Sequence, residues 1–216
     1  MSIFELFAYP FSQSLYFVAD LFDGSYGLAV IAITLAIRIL LLPLFIKQAK
    51  QQKVINQKLK VIKPELDELK EKYKNAKKPE EIKKQQEEMV QLYGKYKLNP
   101  FSVGCLPMLI QRPIEMGMYW AVVETTELSN PFFLWFDFTE TSIILAIVAG
   151  LIYYFQGKIS HVETSTTSQF NMRWMMLISP IVIFVVSISS PAILPFYWSV
   201  NGLLMIAQNV IVKSIV

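Results

Sequence analysis

The sequence predicts an all-α membrane protein: five transmembrane helices, a cytoplasmic antiparallel helical hairpin and an outer interfacial N-terminal helix. Three observations predict it. The chain of 216 residues is 54% apolar, with a mean hydropathy of +0.41. Its apolar residues gather in five runs, about 27–46, 102–123, 141–157, 174–190 and 194–212. Most approach the roughly 20 residues needed to cross about 30 Å of hydrocarbon, where only self-satisfied backbone such as a helix is stable. Charge is the third observation: residues 47–100 hold 15 lysines and 8 acidic side chains, a local +7, although the whole chain carries only +3.

Positive loops stay on the cytoplasmic side. The 47–100 segment is therefore inside and the N-terminus outside. The first 37 residues contain no Lys or Arg, nor does the stretch from Pro113 to Gly157. The loop 125–139 is accordingly outside, the loop 159–173 with nearby Lys158 and Arg173 inside, and Lys213 inside again. The spans are 26–46, 101–124, 140–158, 174–190 and 194–213, N-out and C-in.

Residues 1–25 are rich in aromatics, are interrupted by Pro10 and lack the basic start of a signal peptide. They read as an interfacial helix on the outer face. Arg38 is the one charge between Tyr26 and Ile46 in the first span. It lies nine residues before Lys47, roughly 13 Å along a helix. At the centre of a spanning helix an arginine costs about 2.5–3.5 kcal/mol, so it marks a functional site with a partner.

In 47–100, Ile55, Leu59, Ile62, Leu66, Leu69 and Tyr73 form an apolar seam at helical spacing, continued by Ile82, Met89, Tyr93 and Tyr96. This predicts two antiparallel helices turning near Lys77 and Lys78, with Pro79 near the first position of the second and Pro64 kinking or restarting the first. The lysines form a solvated face able to attract anionic lipid heads or ribosomal RNA.

The second span carries Gln111, Arg112 and Glu115 within five residues. Either Arg112 and Glu115 neutralise each other as i, i+3 neighbours, or Gln111 or Glu115 lines a wet cavity. Gln156 closes the third span. In the fifth, Trp198, Asn201, Met205 and Gln208 share one helical face. Cys105 has no second thiol for a disulfide, His161 stands alone in a polar connector, and neither Gly94-Lys95 nor Gly157-Lys158 completes a phosphate loop. No cofactor, metal or enzymatic chemistry is expected.

The segments "RILLLPLFIKQ", "NPFSVGCLPMLIQRPIEMGMYW" and "LPFYWSVNGLLMIAQN", in this order around a lysine-rich hairpin, resemble the YidC family of membrane protein insertases over nearly the whole chain. Without a large domain before the core, the chain looks like the short Gram-positive type. The resemblance implies five helices around a hydrophilic groove, open to the cytoplasm and lipid and closed on the outside, in a bacterial plasma membrane. It also implies insertion of nascent membrane proteins with short, acidic N-terminal tails, alone or beside the Sec translocon, with the ribosome as a further partner and no DNA. Arg38 matches the family's groove arginine. The other lining candidates are Thr34, Gln111, Glu115, Gln156, Trp198 and Asn201. Arg112 and Glu115 depart from the family, which commonly has apolar or small residues there. The lipidated N-terminal cysteine and basic C-terminal tail of short members are not among these residues. Two other classes fit intramembrane charge: a small solute transporter or channel, and an assembly scaffold working through the hairpin.

Overall fold

The structure, a computed structural model, describes residues 3–74, 78–98, 106–124, 131–160 and 169–216, and the side chains of 8–74, 78–98, 113–123, 131–159 and 177–216 among them. Cys105 and His161 lie outside the described residues. The fold is mostly helical: α1 (Ile3–Leu21), α2 (Tyr26–Lys72), α3 (Pro79–Lys95), α4 (Leu106–Glu124), α5 (Ile143–Ser160), α6 (Gln169–Ile188) and α7 (Ile193–Ile215). A small antiparallel ribbon, β1 (Phe132–Phe133) and β2 (Phe136–Asp137), stands between α4 and α5.

One helix of 47 residues, α2, carries both the first apolar run and the first arm of the helical hairpin. It is the only helix among the described residues that meets both length and hydropathy criteria for crossing a membrane. A restart at Pro64 is not found; α2 is assigned as one helix that continues through Pro43 and Pro64. A helical proline lacks the N–H that would bond the carbonyl four residues earlier. Those carbonyls belong to Ile39 and Lys60, both exposed, so the missing bonds fall outside the packed core.

The main core gathers at the N-terminal end of α2. Tyr26, Ala29, Val30 and Ile33 meet Leu15 and Ala19 of α1, Met118 and Val122 of α4, Phe138, Leu145 of α5, and Ala192–Leu194 and Tyr197 at the start of α7. The N-terminal segment is thus a packed helix, with Leu15 fully buried. Farther along α2, and along α5, α6 and α7, large apolar side chains turn outward. Ile39, Leu40, Ile143, Ile144, Leu151, Ile181, Val185, Leu203 and Val210 are all more than half exposed. An apolar surface this extensive marks an interaction face rather than a water-facing one.

The ribbon caps the core end. Leu134 takes the left-handed conformation (φ 57°) in the tight turn, which aims Phe133 inward. The Phe133 ring packs on Phe138 and Phe196, with centroids 5.8 and 5.2 Å away. The Ala192 N–H donates to the Glu140 carbonyl at 2.7 Å, tying the ribbon's exit to the start of α7.

In the helical hairpin, Leu59, Ile62, Leu66 and Leu98 form a second core with Ile55, Met89, Leu92, Tyr93 and Tyr96. Ile82, expected in the seam, is instead 43% exposed. Pro79 occupies the start of α3, with Glu80 and Glu81 in its first turn and Lys95 in its last, the polarity that the helix dipole favours.

Each arm ends in a Lys-Tyr pair that clamps a glutamate on the other arm. Lys72 and the Tyr73 hydroxyl both donate to Glu88, at 2.8 Å each. Lys95 donates to Glu65 at 3.0 Å, and the Tyr96 hydroxyl donates to the same carboxylate. Hydrogen bonds from tyrosine and then lysine hold Glu65 below the usual carboxylate range; those from Lys72 and then Tyr73 do the same for Glu88. Their glutamate partners raise Lys72 and Lys95.

A depressed carboxylate contributes stability above its unfolded value, lost as pH falls through the folded one. A raised lysine contributes below its unfolded value, lost as pH rises through the folded one. The protection factor of the α3 amides, the intrinsic exchange rate divided by the observed one at each pH, is therefore expected to stay flat between the usual carboxylate and lysine ranges and to fall on acidification below the former. The double variant Glu65→Gln/Glu88→Gln should lose that acid step; an identical acid step in this variant would contradict the clamps.

Candidate functional site

α2 places Arg38 three turns from its N-terminus, just past the core layer, where the residue is only 8% exposed. A buried guanidinium must be hydrogen-bonded and near a counter-charge. Two neutral acceptors come from α7: Arg38 Nη2 donates to Asn201 Oδ1 at 2.6 Å, and Nη1 to Gln208 Oε1 at 3.3 Å. Asn201 and Gln208 are seven residues apart, two helical turns, and so present their amides on one face. The carboxylate comes from α4, with Glu115 Oε1 3.9 Å from Arg38 Nη2. The sequence offered Arg112 as a partner for Glu115; among the described side chains its ion-pair partner is Arg38. Arg112, like Gln111, lies on α4 with a side chain outside them.

Two spaces flank the guanidinium. A void of about 20 Å³ between α2, α4 and α7 is bounded by Thr34, Arg38, Glu115, Met118, Tyr197 and Asn201. That is room for roughly one water. Thr34 lines it, but its hydroxyl donates to the Val30 carbonyl of its own helix at 2.6 Å, so its polarity is spent locally. A larger, open cavity of about 470 Å³ lies between α4, α5, α6 and α7. Its polar lining is Glu115, Gln156, Ser179 and Asn201; its apolar and aromatic lining is Met116, Tyr119, Tyr153, Ile183, Tyr197, Trp198 and Met205. Tyr119 stacks on Trp198 with centroids 6.5 Å apart.

The structure thus brings Thr34, Arg38, Glu115 and Asn201 to the small void, and Glu115, Gln156, Trp198 and Asn201 to the larger one. Gln208 and Tyr197 complete the surround of Arg38 and were not among the candidates. Gln208 was legible as a member of the Asn201 face; nothing in the local pattern marks Tyr197. Among the described residues no group of three or more His, Cys, Asp or Glu side chains could hold a metal ion. A guanidinium held by neutral hydrogen-bond acceptors, beside a wall of methionines and aromatics, can bind an anion and an apolar segment side by side.

The 60Kd inner membrane protein family matches residues 17–216 of this chain. The chain belongs to that family, the YidC family it resembles in sequence. Among curated YidC-family relatives it is 40% identical over 212 residues to membrane protein insertase MisCB of Bacillus subtilis, covering 94% of this chain and 77% of that one. It is also 40% identical over 206 residues to membrane protein insertase YidC 2 of Listeria monocytogenes, covering 95% and 75%. Membrane protein insertase YidC of Staphylococcus aureus is 40% identical over 196 residues, covering 88% and 67%. The fold is similar to a crystal structure of active YidC insertase with its first transmembrane domain resolved, with a TM-score of 0.59 at 24% identity. The match spans 96% of this chain but only 46% of that one.

Proposed function

We propose that this chain is a membrane protein insertase of the bacterial plasma membrane and no enzyme. In this reading it accepts the hydrophilic tail of a nascent membrane protein in the cavity beside Arg38 and releases the adjoining apolar segment into lipid. The observation that carries the reading is the buried Arg38, held by Asn201 and Gln208 at the edge of an open cavity with both polar and apolar walls. The names of the curated relatives support it.

The five apolar runs are the spans, N-out and C-in, and the cavity is the hydrophilic groove. The dry core and its aromatic ribbon close the outer end. The side of Arg38 toward Lys47 and the helical hairpin faces the cytoplasm. This asymmetry matters energetically. A polar tail loses its water partners on entering hydrocarbon, and a hydrated cavity shortens the dry path. An acidic tail is drawn to Arg38, whose field is stronger in a partly desolvated setting than in bulk water. Its outward passage is helped by the membrane potential, about 2.3 kcal/mol per charge per 100 mV. Met116 and Met205 suit apolar segments of varied shape, because thioether side chains are flexible and polarizable. The lysine-rich hairpin is the first docking surface, for lipid heads, the ribosome or the Sec translocon.

A photo-crosslinker at Gln156 or Met205 tests this directly. With a stalled single-span client, both positions should capture the client's tail or its apolar segment. A probe at the lipid-exposed Ile181 should capture far less. Capture at Ile181 equal to that at Gln156 and Met205 would overturn the groove reading. A transporter would capture no nascent chain at any of the three.

A further inference from the structure

Arg38 is ringed by unlike partners. Asn201 and Gln208 are neutral and within hydrogen-bonding distance, whereas the charged Glu115 stands off at 3.9 Å. The Glu115 side chain is 25% exposed, against 9% for that of Arg38. It also lines both the small void at the guanidinium and the larger cavity. A carboxylate entering from the larger cavity therefore reaches Arg38 past Glu115.

Resting on the insertase reading, we propose that Glu115 is a specificity-determining residue: a resident carboxylate that a client's acidic tail must outcompete at Arg38. Its distance fits the role. A carboxylate in direct bidentate contact would close the guanidinium, and one much farther away would leave its charge screened. At 3.9 Å, Glu115 offsets part of the arginine's charge while Asn201 and Gln208 fix its orientation. An incoming aspartate then meets attraction from Arg38 and repulsion from Glu115, and both act over the same few ångströms. A neutral tail is almost indifferent to Glu115. The consequence is a damped preference: Glu115 lowers the advantage of acidic over neutral tails that Arg38 alone would give.

The test is the ratio of crosslinked capture for a client with a short aspartate tail to that for the same client with asparagines, using the full chain in proteoliposomes. Glu115→Gln keeps the shape but removes the charge, and it should raise the ratio about three- to tenfold, the size expected for a like charge about 4 Å away in a hydrated cavity of water-like dielectric. Glu115→Met, which places an apolar side chain there, should move the ratio the same way. Glu115→Asp should leave the ratio near its wild-type value. A ratio unchanged or lowered in both charge-removing variants overturns the proposal, because Glu115 would then only support the arginine. Arg38→Gln separates this from the parent reading. If Arg38→Gln brings the ratio toward one while the Glu115 variants leave it unmoved, only the role of Glu115 falls. If the ratio ignores Arg38 as well, the groove reading falls with it.

Discussion

Replacing Arg38 by alanine should reduce insertion of acidic-tailed clients at least tenfold, the largest functional effect expected of any single substitution in the chain. Among the described residues the guanidinium is the only cation lining the small void, and no cation lines the larger cavity beside it. Its removal takes away the attraction while leaving the Glu115 carboxylate, which repels the tail. Two losses therefore act together, and the double variant Arg38→Ala/Glu115→Gln should recover part of the defect. Arg38→Lys should fall between wild type and alanine. Its ammonium keeps the charge, but it lacks the planar fork that reaches Asn201 Oδ1 and Gln208 Oε1 at once. Neutral-tailed clients should be affected less than acidic ones in every Arg38 variant. Insertion rates into inverted vesicles, compared across a matched pair of tails, check all of this. Unimpaired insertion of the acidic client by Arg38→Ala would sink the mechanism.

The family and the helical class were legible because they rest on run lengths and ordered motifs, which a sequence carries directly. Arg38 stood out for the same reason, as one charge in an apolar run. Its partners were harder to read. Helical periodicity groups Asn201 with Gln208 on one face of α7, but it does not say which face of which neighbour they meet. Choosing Arg38 over Arg112 as the described partner of Glu115 depends on how α2 and α4 lie against each other. The ribbon was missed for a related reason. Its strands are two residues each, too short for an alternating pattern, and Phe132 to Phe136 read as loop. What organises it is the contact of Phe133 with residues far away in the chain. That α2 runs on through Pro64 without a restart was not legible, because it depends on the affected carbonyl sitting on an exposed residue.

That long-range contact yields the second large expectation, at Gly27. In a helix, Gly→Ala ordinarily stabilises by about 0.5–1 kcal/mol, because glycine loses more backbone entropy on folding. Gly94 in α3 has open space where a Cβ would project, so Gly94→Ala should show this ordinary gain. Gly27, the second residue of α2, should show the reverse. A Cβ there would stand 2.2 to 2.7 Å from three atoms of the Phe133 ring, including Cγ, its root. The ring has little freedom to retreat, being stacked on Phe138 and packed on Phe196. Forcing a methyl into a filled core costs about 1–3 kcal/mol, which exceeds the entropic gain. The alternative is expulsion of Phe133, which forfeits the burial of its ring, about 1.5–3 kcal/mol, and with it the seat of the ribbon. Either way Gly27→Ala should lower the melting temperature in detergent while Gly94→Ala raises it. If the ribbon is expelled, protease cleavage between Pro131 and Glu140 should increase as well. Pairing Gly27→Ala with Phe133→Ala should recover most of the clash, so the two substitutions should be strongly non-additive. A melting temperature raised by Gly27→Ala would mean that the Phe133 ring does not occupy the face of α2 on which the sealed outer end depends.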